Sequence, residues 1–166
     1  MTSALVYLAL GTNLGDRAVH LRHALAALAA TCTLTTVSSC YETAPVHVLD
    51  QPRFYNLVCS ATTALQPLTL LRELKRIETA LGRTPGPRFG PRVIDLDLLL
   101  YDAYVCDTPE LSLPHPRLAE RAFVLVPLAE IAPNLLHPTI GLSISALRDR
   151  LTAPWRDLQP IETPGM

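Results

Sequence analysis

Apolar positions along this chain alternate between two spacings, and the switches between them predict its elements. ALVYLAL, residues 4–10, is almost continuously apolar and predicts a strand. GTNLGDR follows and opens a helix, with Asn13 placed to cap it and Asp16 near its positive end. Leu21, Leu25 and Leu28 give that helix an apolar face to about residue 30. TLTTVSSCYET, 33–43, is rich in β-branched residues and predicts a second strand, APVHVLDQPR a loop, and FYNLVCSATTAL, 54–65, a third strand. A second helix starts at Pro67, a favoured first-turn residue, buries Leu70, Leu71, Leu74, Ile77 and Leu81, and ends at Gly82. RTPGPRFGPR, 83–92, sets three prolines and two glycines around one Phe, so neither helix nor strand fits it. VIDLDLLLY, 93–101, predicts a fourth strand. A loop to Pro116, a short helix, the apolar stretch FVLVPLAEIAP and a final helix over 143–151 complete the chain. The order β-α-β-β-α-β predicts a ferredoxin-like α+β fold, an antiparallel sheet with helices packed on it, plus C-terminal additions. Residues 1–152 are expected to form one domain and 153–166 a poorly ordered tail in which Trp155 serves at most to dock it.

Composition narrows the function classes. Of the 166 residues, 49% are hydrophobic and 17% charged, enough apolar material for a core. A formal net charge of -1 gives no global field for nucleic acid or an anionic membrane. Lys75 is the only lysine, so basic charge is carried by arginine. Residues 1–11 lack the basic start and long apolar run of a signal peptide, and no stretch is apolar for the ~18 residues a membrane helix needs, so a cytoplasmic protein is expected. Cys32, Cys40, Cys59 and Cys106 lie in apolar segments without metal-type spacing and read as reduced core residues.

The chemistry concentrates in the fourth predicted strand. Alternate side chains share a face, so Asp95 and Asp97 point the same way, with Val93 and Leu99 flanking them, while Ile94, Leu96, Leu98 and Leu100 face helices. Two residues along a strand span roughly 6.5 Å, at which two like charges repel by about 2.5 kcal/mol at an effective dielectric near 20. Two arrangements relieve this: a divalent cation held between the acids, or ion pairs to arginines from the neighbouring loop. Arg83, Arg88 and Arg92 upstream and His115, Arg117 and Arg121 downstream suit a polyphosphate ligand beside a metal. No GxxxxGK[ST] occurs and GTNLGDR does not fit GxGxxG, so any ATP site is neither a P-loop nor a Rossmann site.

RFGPRVIDLDLLLY, 88–101, resembles the hallmark segment of the 6-hydroxymethyl-7,8-dihydropterin pyrophosphokinase family. The resemblance extends to ALGTNLGDR, YETAPV, QPRFYNLV, LKRIETALGR and LPHPRLAERAFVLVPLAEIAP, and so to nearly the whole chain short of the last dozen or so residues. It implies the ferredoxin-like fold and a folate-pathway reaction in which ATP passes its β,γ-diphosphate to the pterin hydroxymethyl group, releasing AMP, with two magnesium ions. It implies that Asp95 and Asp97 bind the ions and that Arg83 and Arg92 contact the phosphates and stabilise the transition state. His115, Arg121 and Arg88 are implied on the phosphates, with Glu78, Leu98 and Ser112 bordering the nucleotide. A pterin pocket of Thr43, Ala44, Pro45, Val46, Phe54, Asn56, Phe89 and Phe123 is implied, Phe54 and Phe123 sandwiching the ring and Asn56 matching its amide-like edge. Phe89 stands where many members have Trp, Ser112 where they often have Thr, Glu110 where some have a basic residue and Lys75 where some have Gln.

Read without the resemblance, Glu78 is half of an exposed pair with Lys75, His115 a loop histidine free to be charged near neutrality, and Phe54 and Phe123 plain core. Arg117 and Glu120 read as surface residues, and His20, His23, His47 and His137 receive no role. No residue is obviously placed as general base for the hydroxymethyl group. Two rival functions remain: another magnesium-dependent transferase acting on a flat alcohol, and a ferredoxin-like binding module for small ligands or RNA. The expected partners are ATP and the pterin, without nucleic acid or membrane, on a monomer.

Overall fold

In the computed structural model, residues 2–152 and 155–162 are described. The elements are β1 (Ala4–Thr12), α1 (Arg17–Thr31), β2 (Thr33–Val37), β3 (Cys40–Thr43), β4 (Phe54–Thr63), α2 (Pro67–Ala80), β5 (Asp95–Tyr101), β6 (Cys106–Asp107), β7 (Ser112–Leu113), α3 (Ala122–Ile131), α4 (Ile144–Asp149) and β8 (Pro160–Ile161). The main sheet runs β5-β1-β4-β3-β8, with β2 also on β4, and every pairing in it is antiparallel. No helix among the described residues is long and apolar enough to cross a membrane.

The expected second strand is two. β2 pairs with residues 59–62 of β4 and β3 with residues 54–56. Between them Ser38 donates its N–H to the Val58 carbonyl (2.9 Å) and accepts the Val58 N–H on Oγ (2.9 Å), so a hydroxyl replaces one rung of the ladder. Helix α1 also starts later than expected. Gly15 takes φ 67, the chain turns, and Asp16, not Asn13, caps the helix by accepting the Val19 N–H.

Both faces of the sheet are covered. Val6, Leu8 and Leu10 of β1, with Ile94, Leu96 and Leu98, pack on Leu21, Ala24 and Leu28 of α1 and Leu70, Leu74 and Ile77 of α2. Tyr7, Val58, Leu99 and Leu100 pack on Val124, Leu125 and Leu128 of α3 and on Ile144 and Leu147 of α4. Leu100 was expected with Leu96 and Leu98. The pairing of β1 with β5 slips between Tyr7 and Leu8, and this bulge turns Leu99 and Leu100 to the same core. Helix α3 is the apolar stretch 123–133 resolved. Six consecutive residues, Val124–Ala129, are buried, so no 3.6-residue stripe marks it, and Pro127 sits inside it. In the C-terminal segment, the Arg148 and Arg156 guanidinium carbons stand 4.4 and 4.6 Å from the Trp155 ring centroid, and Pro160–Ile161 extends the sheet beside β3. Residues 153, 154 and 163–166 of the expected tail lie outside the described residues.

On β1, Gly11 pairs with Asn56 on one side and Asp95 on the other. A Cβ there would stand 2.7 Å from Asn56 Oδ1. Asn56 is buried and donates to Thr43 Oγ1 (2.6 Å), so it has no room to retreat. Gly11→Ala is expected to destabilise by about 1–3 kcal/mol in urea melts, while Gly86→Ala, into open space, changes stability by less than ~0.5 kcal/mol.

Candidate active site

Residues of β1, β4 and β5 with the parity of Tyr7, Val58 and Leu99 share the face on which α3 and α4 lie. Those helices leave one end of it open. There Ala9, Gly11, Asn56, Asp95 and Asp97 floor a cleft of about 200 Å³, far beyond the ~30 Å³ of one liquid water and so of ligand size. Thr43, Ala44, Val46, Phe54, Phe89 and Phe123 wall it, and Arg92 and Arg121 reach into it. Thr43, Ala44, Val46, Phe54, Asn56, Phe89, Arg92, Asp95, Asp97, Arg121 and Phe123, expected from the sequence, are therefore brought together, along with Ala9, Leu10, Gly11, His47, Gln51 and Glu120, which were not expected in the site.

The two acids are not equivalent. Asp95 Oδ1 accepts from Arg83 Nη1 at 2.7 Å and Oδ2 from Arg92 Nη1 at 2.8 Å. Burial pushes the Asp95 carboxyl up, but the Arg92 and Arg83 guanidiniums outweigh it and hold the group below the usual range. Among the described residues, the ion-pair partner of Asp97 is Arg121 alone, at 3.9 Å. Burial, together with repulsion from Asp95, pushes Asp97 up to about 6. The ion-pair solution to two strand acids thus holds for Asp95, and Asp97 is left with excess negative potential. Among the described residues no three His, Cys, Asp or Glu side chains are grouped to hold a metal unaided. Asp95 and Asp97 are the pair able to ligate a hard cation, which would take its other oxygens from water or ligand.

Glu78, expected as half of an exposed pair, is only 3% exposed. It accepts from Arg83 Nη1 (2.5 Å), from the Leu96 N–H (2.8 Å) and from Lys75 (3.2 Å), tying α2 to β5 and to Arg83. Burial raises its carboxyl, against those donors. Arg83 thus lies behind Asp95, bridging two carboxylates. His115 is half-buried, and burial with the nearby Arg121 charge pushes it down to about 4, so it is neutral at pH 7 rather than charged. Its Nδ1 accepts the Arg117 N–H (3.1 Å), which leaves Nε2 carrying the proton and able to donate to an anion.

Other expected site residues stand off the cleft wall. The Leu98 side chain belongs to the α1/α2 core, so only its main chain can face a ligand there. Ser112 is on β7 and donates to Asp107 (2.7 Å). Pro45 lies half-buried between two lining residues, and Arg88 is exposed with its guanidinium 4.7 Å from the Phe89 ring centroid.

Asn13, expected as a helix cap, is a joint between loops. It is 2% exposed, donates to Gln51 Oε1 (3.0 Å) and to the Pro52 carbonyl (3.0 Å), and accepts the Arg92 N–H (2.8 Å). Gln51 in turn donates to the Phe89 carbonyl (2.8 Å). These partners lie 38 to 79 residues apart in the chain, a pairing that no local spacing signals.

An aromatic-walled cleft over two acids, edged by guanidiniums on an α+β sandwich, has the shape for a flat ring and the charges for an anion beside it. The 7,8-dihydro-6-hydroxymethylpterin-pyrophosphokinase family model matches residues 7–133, and the chain belongs to that family. It is 50% identical over 133 residues to the 2-amino-4-hydroxy-6-hydroxymethyldihydropteridine pyrophosphokinase of Bacillus subtilis, a match covering 79% of this chain and 80% of that one. It is 40% identical over 144 residues to the folic acid synthesis protein FOL1 of Dictyostelium discoideum, covering 87% of this chain but only 22% of that protein's length. The wild-type HPPK-DHPS structure of Plasmodium falciparum superposes with a TM-score of 0.73 at 17% identity, over 89% of this chain and 44% of that one, and shares the fold.

The raised Asp97 carboxyl costs stability. Folded protein holds a proton on Asp97 that the unfolded chain has lost between about pH 4 and 6, so the stability present at low pH falls as pH rises through that window. In metal-free buffer, Asp97→Asn is therefore expected to be the more stable protein at pH 7, by on the order of 2 kcal/mol, and to lose that advantage near pH 4, read from thermal melts at both pH values.

Proposed function

We propose that this protein transfers the β,γ-diphosphate of ATP to the hydroxymethyl group of 6-hydroxymethyl-7,8-dihydropterin in a magnesium-dependent step of folate biosynthesis. The hydroxymethyl oxygen forms a bond to the β-phosphorus, the bond from the β-phosphorus to the oxygen bridging to the α-phosphate breaks, AMP leaves, and the hydroxyl proton passes to solvent or phosphate. The observation that carries this reading is the unequal acid pair, one neutralised by two arginines and one left electron-rich, at the floor of an aromatic cleft. Such a donor set fits magnesium, which is held through one or two carboxylates and completes its shell with water and substrate phosphate. When bound, the metal neutralises phosphate charge.

The chain's own residues do the rest by positioning and charge. Phe54 and Phe123 sandwich the pterin ring, Asn56 and Thr43 match its polar edge, and Ala44, Pro45, Val46 and Phe89 complete the wall. Arg92 and Arg83 hold Asp95 and offer their remaining N–H groups to the charge developing on the transferred phosphates. Arg121, Arg88 and the neutral His115 bind the phosphate chain, with Glu78, the Leu98 main chain and Ser112 toward the nucleotide. No side chain serves as an obvious base, in keeping with a loose transition state that needs little proton removal. The protein works as a cytoplasmic monomer.

The test is a product assay with ATP, magnesium and the reduced pterin, resolving AMP from ADP. Pterin-dependent AMP is expected, abolished by a chelator and reduced about 10²–10³-fold in Arg92→Ala, the size of a lost transition-state donor. ADP as the product would replace this reading by simple phosphoryl transfer.

A further inference from the structure

His47 and Arg117 have no part in the reaction as derived, yet both converge on Phe89. The His47 ring lies on the Phe89 ring, centroids 4.0 Å apart and planes at 31°. The Arg117 guanidinium carbon is 5.1 Å from the Phe89 centroid, and its Nη1 is 3.5 Å from His47 Nε2. A guanidinium only donates, so Nε2 is the accepting side of that contact. Phe89 itself has φ 60, a conformation a bulky residue holds only when its surroundings impose it. Its own loop supplies the exposed Arg88 guanidinium, 4.7 Å from the ring centroid, and the Gly90 N–H to the Pro87 carbonyl (3.0 Å) within the turn, while the Gln51 amide meets the Phe89 carbonyl (2.8 Å) from the loop opposite. From outside that loop, His47 and Arg117 meet the ring itself.

We propose that His47 is a positioning residue. Its imidazole, oriented by Arg117, fixes the Phe89 ring as a wall of the cleft, so that loops 44–53 and 83–92 close on the flat substrate as one unit. This role rests on the pterin reading of the cleft above. Arg117 also joins the latch to the anion side of the site, because its N–H is received by His115 Nδ1. The contact is a tilted ring-on-ring packing, so a flat aromatic ring at position 47 can supply it, whereas an aliphatic residue cannot.

Two readouts on full-length His47→Ala and His47→Phe test this. One is the pterin KM and kcat from AMP formation. The other needs no activity: the rate of tryptic cleavage of the ligand-free protein at the Arg88–Phe89 bond, identified by mass spectrometry. His47→Ala is expected to raise pterin KM about 2–10-fold, the range of one aromatic pair, with kcat within about twofold and an unchanged melting temperature. Cleavage at Arg88–Phe89 accelerates in parallel, and His47→Phe restores both values. Unchanged KM and cleavage in His47→Ala would overturn the proposal, as would His47→Phe behaving like His47→Ala. A raised KM without faster cleavage would mean that His47 touches the substrate itself, and faster cleavage without a KM change that the latch does not shape the site; either overturns the positioning role. If the wild type makes no AMP, the functional reading fails, and the cleavage rates still decide whether His47 holds Phe89.

Discussion

A chain of opposite charges built around the buried Glu78 organises this molecule: Lys75 and Arg83 on Glu78, Arg83 and Arg92 on Asp95, and Arg121 on Asp97 at the limit of contact. A carboxylate taken out of water costs several kcal/mol unless paired and hydrogen-bonded, so each of these groups constrains where its neighbours stand. Glu78 fastens α2 to the main chain of β5 through the Leu96 N–H, and Arg83, just past α2, is thereby held behind Asp95. Arg92 closes the other side of Asp95 while its own N–H is held by Asn13. The charged floor of the cleft is built from α2, β5 and the end of the Pro/Gly-rich loop at once.

The same network leaves one group out. Lys75, Arg83 and Arg92 are committed to Glu78 or Asp95, Arg121 reaches Asp97 only at 3.9 Å, and Asp97 keeps a carboxyl raised by burial and by its neighbour's charge. That is a destabilising arrangement for the free protein and a useful one for a site that must attract a cation and a polyphosphate together. Stability and function pull in opposite directions at one atom group, two residues from an acid held by two arginines.

Covering both sheet faces makes the cleft possible. The α1/α2 core supports β5 from behind, and α3 and α4 cover only part of the other face. Phe123, at the start of α3, belongs both to that second core and to the cleft wall, so the packing that stabilises the sandwich also sets the width of the pocket. The mobile-looking composition of loops 44–53 and 83–92 is offset by a few long-range contacts, Asn13 to Gln51 to Phe89 and His47 to Phe89, which tie them to each other over the opening.

Much of this was legible in the sequence. Period and turn residues determined three of the strands to within a residue or two, the two long helices and the Gly82 stop, and period 2 put Asp95 and Asp97 on one face, because these depend on contacts between residues close in the chain. Matching segments identified the residues that meet in the cleft. What tertiary structure alone decided depends on partners distant in sequence. The bulge that turns Leu100 to join Leu99 arises from pairing with β1, and the break at Ser38 from pairing with β4. Helix α3 carries no periodicity to read because it is buried all round. Asn13 looked like a cap because its neighbours resemble a helix start; only the arrival of Gln51, Pro52 and Arg92 makes it a joint. The different states of Asp95 and Asp97 could not be read from the strand, where both are acids in an apolar run. They differ because two guanidiniums fold back onto one and none comes within close contact of the other.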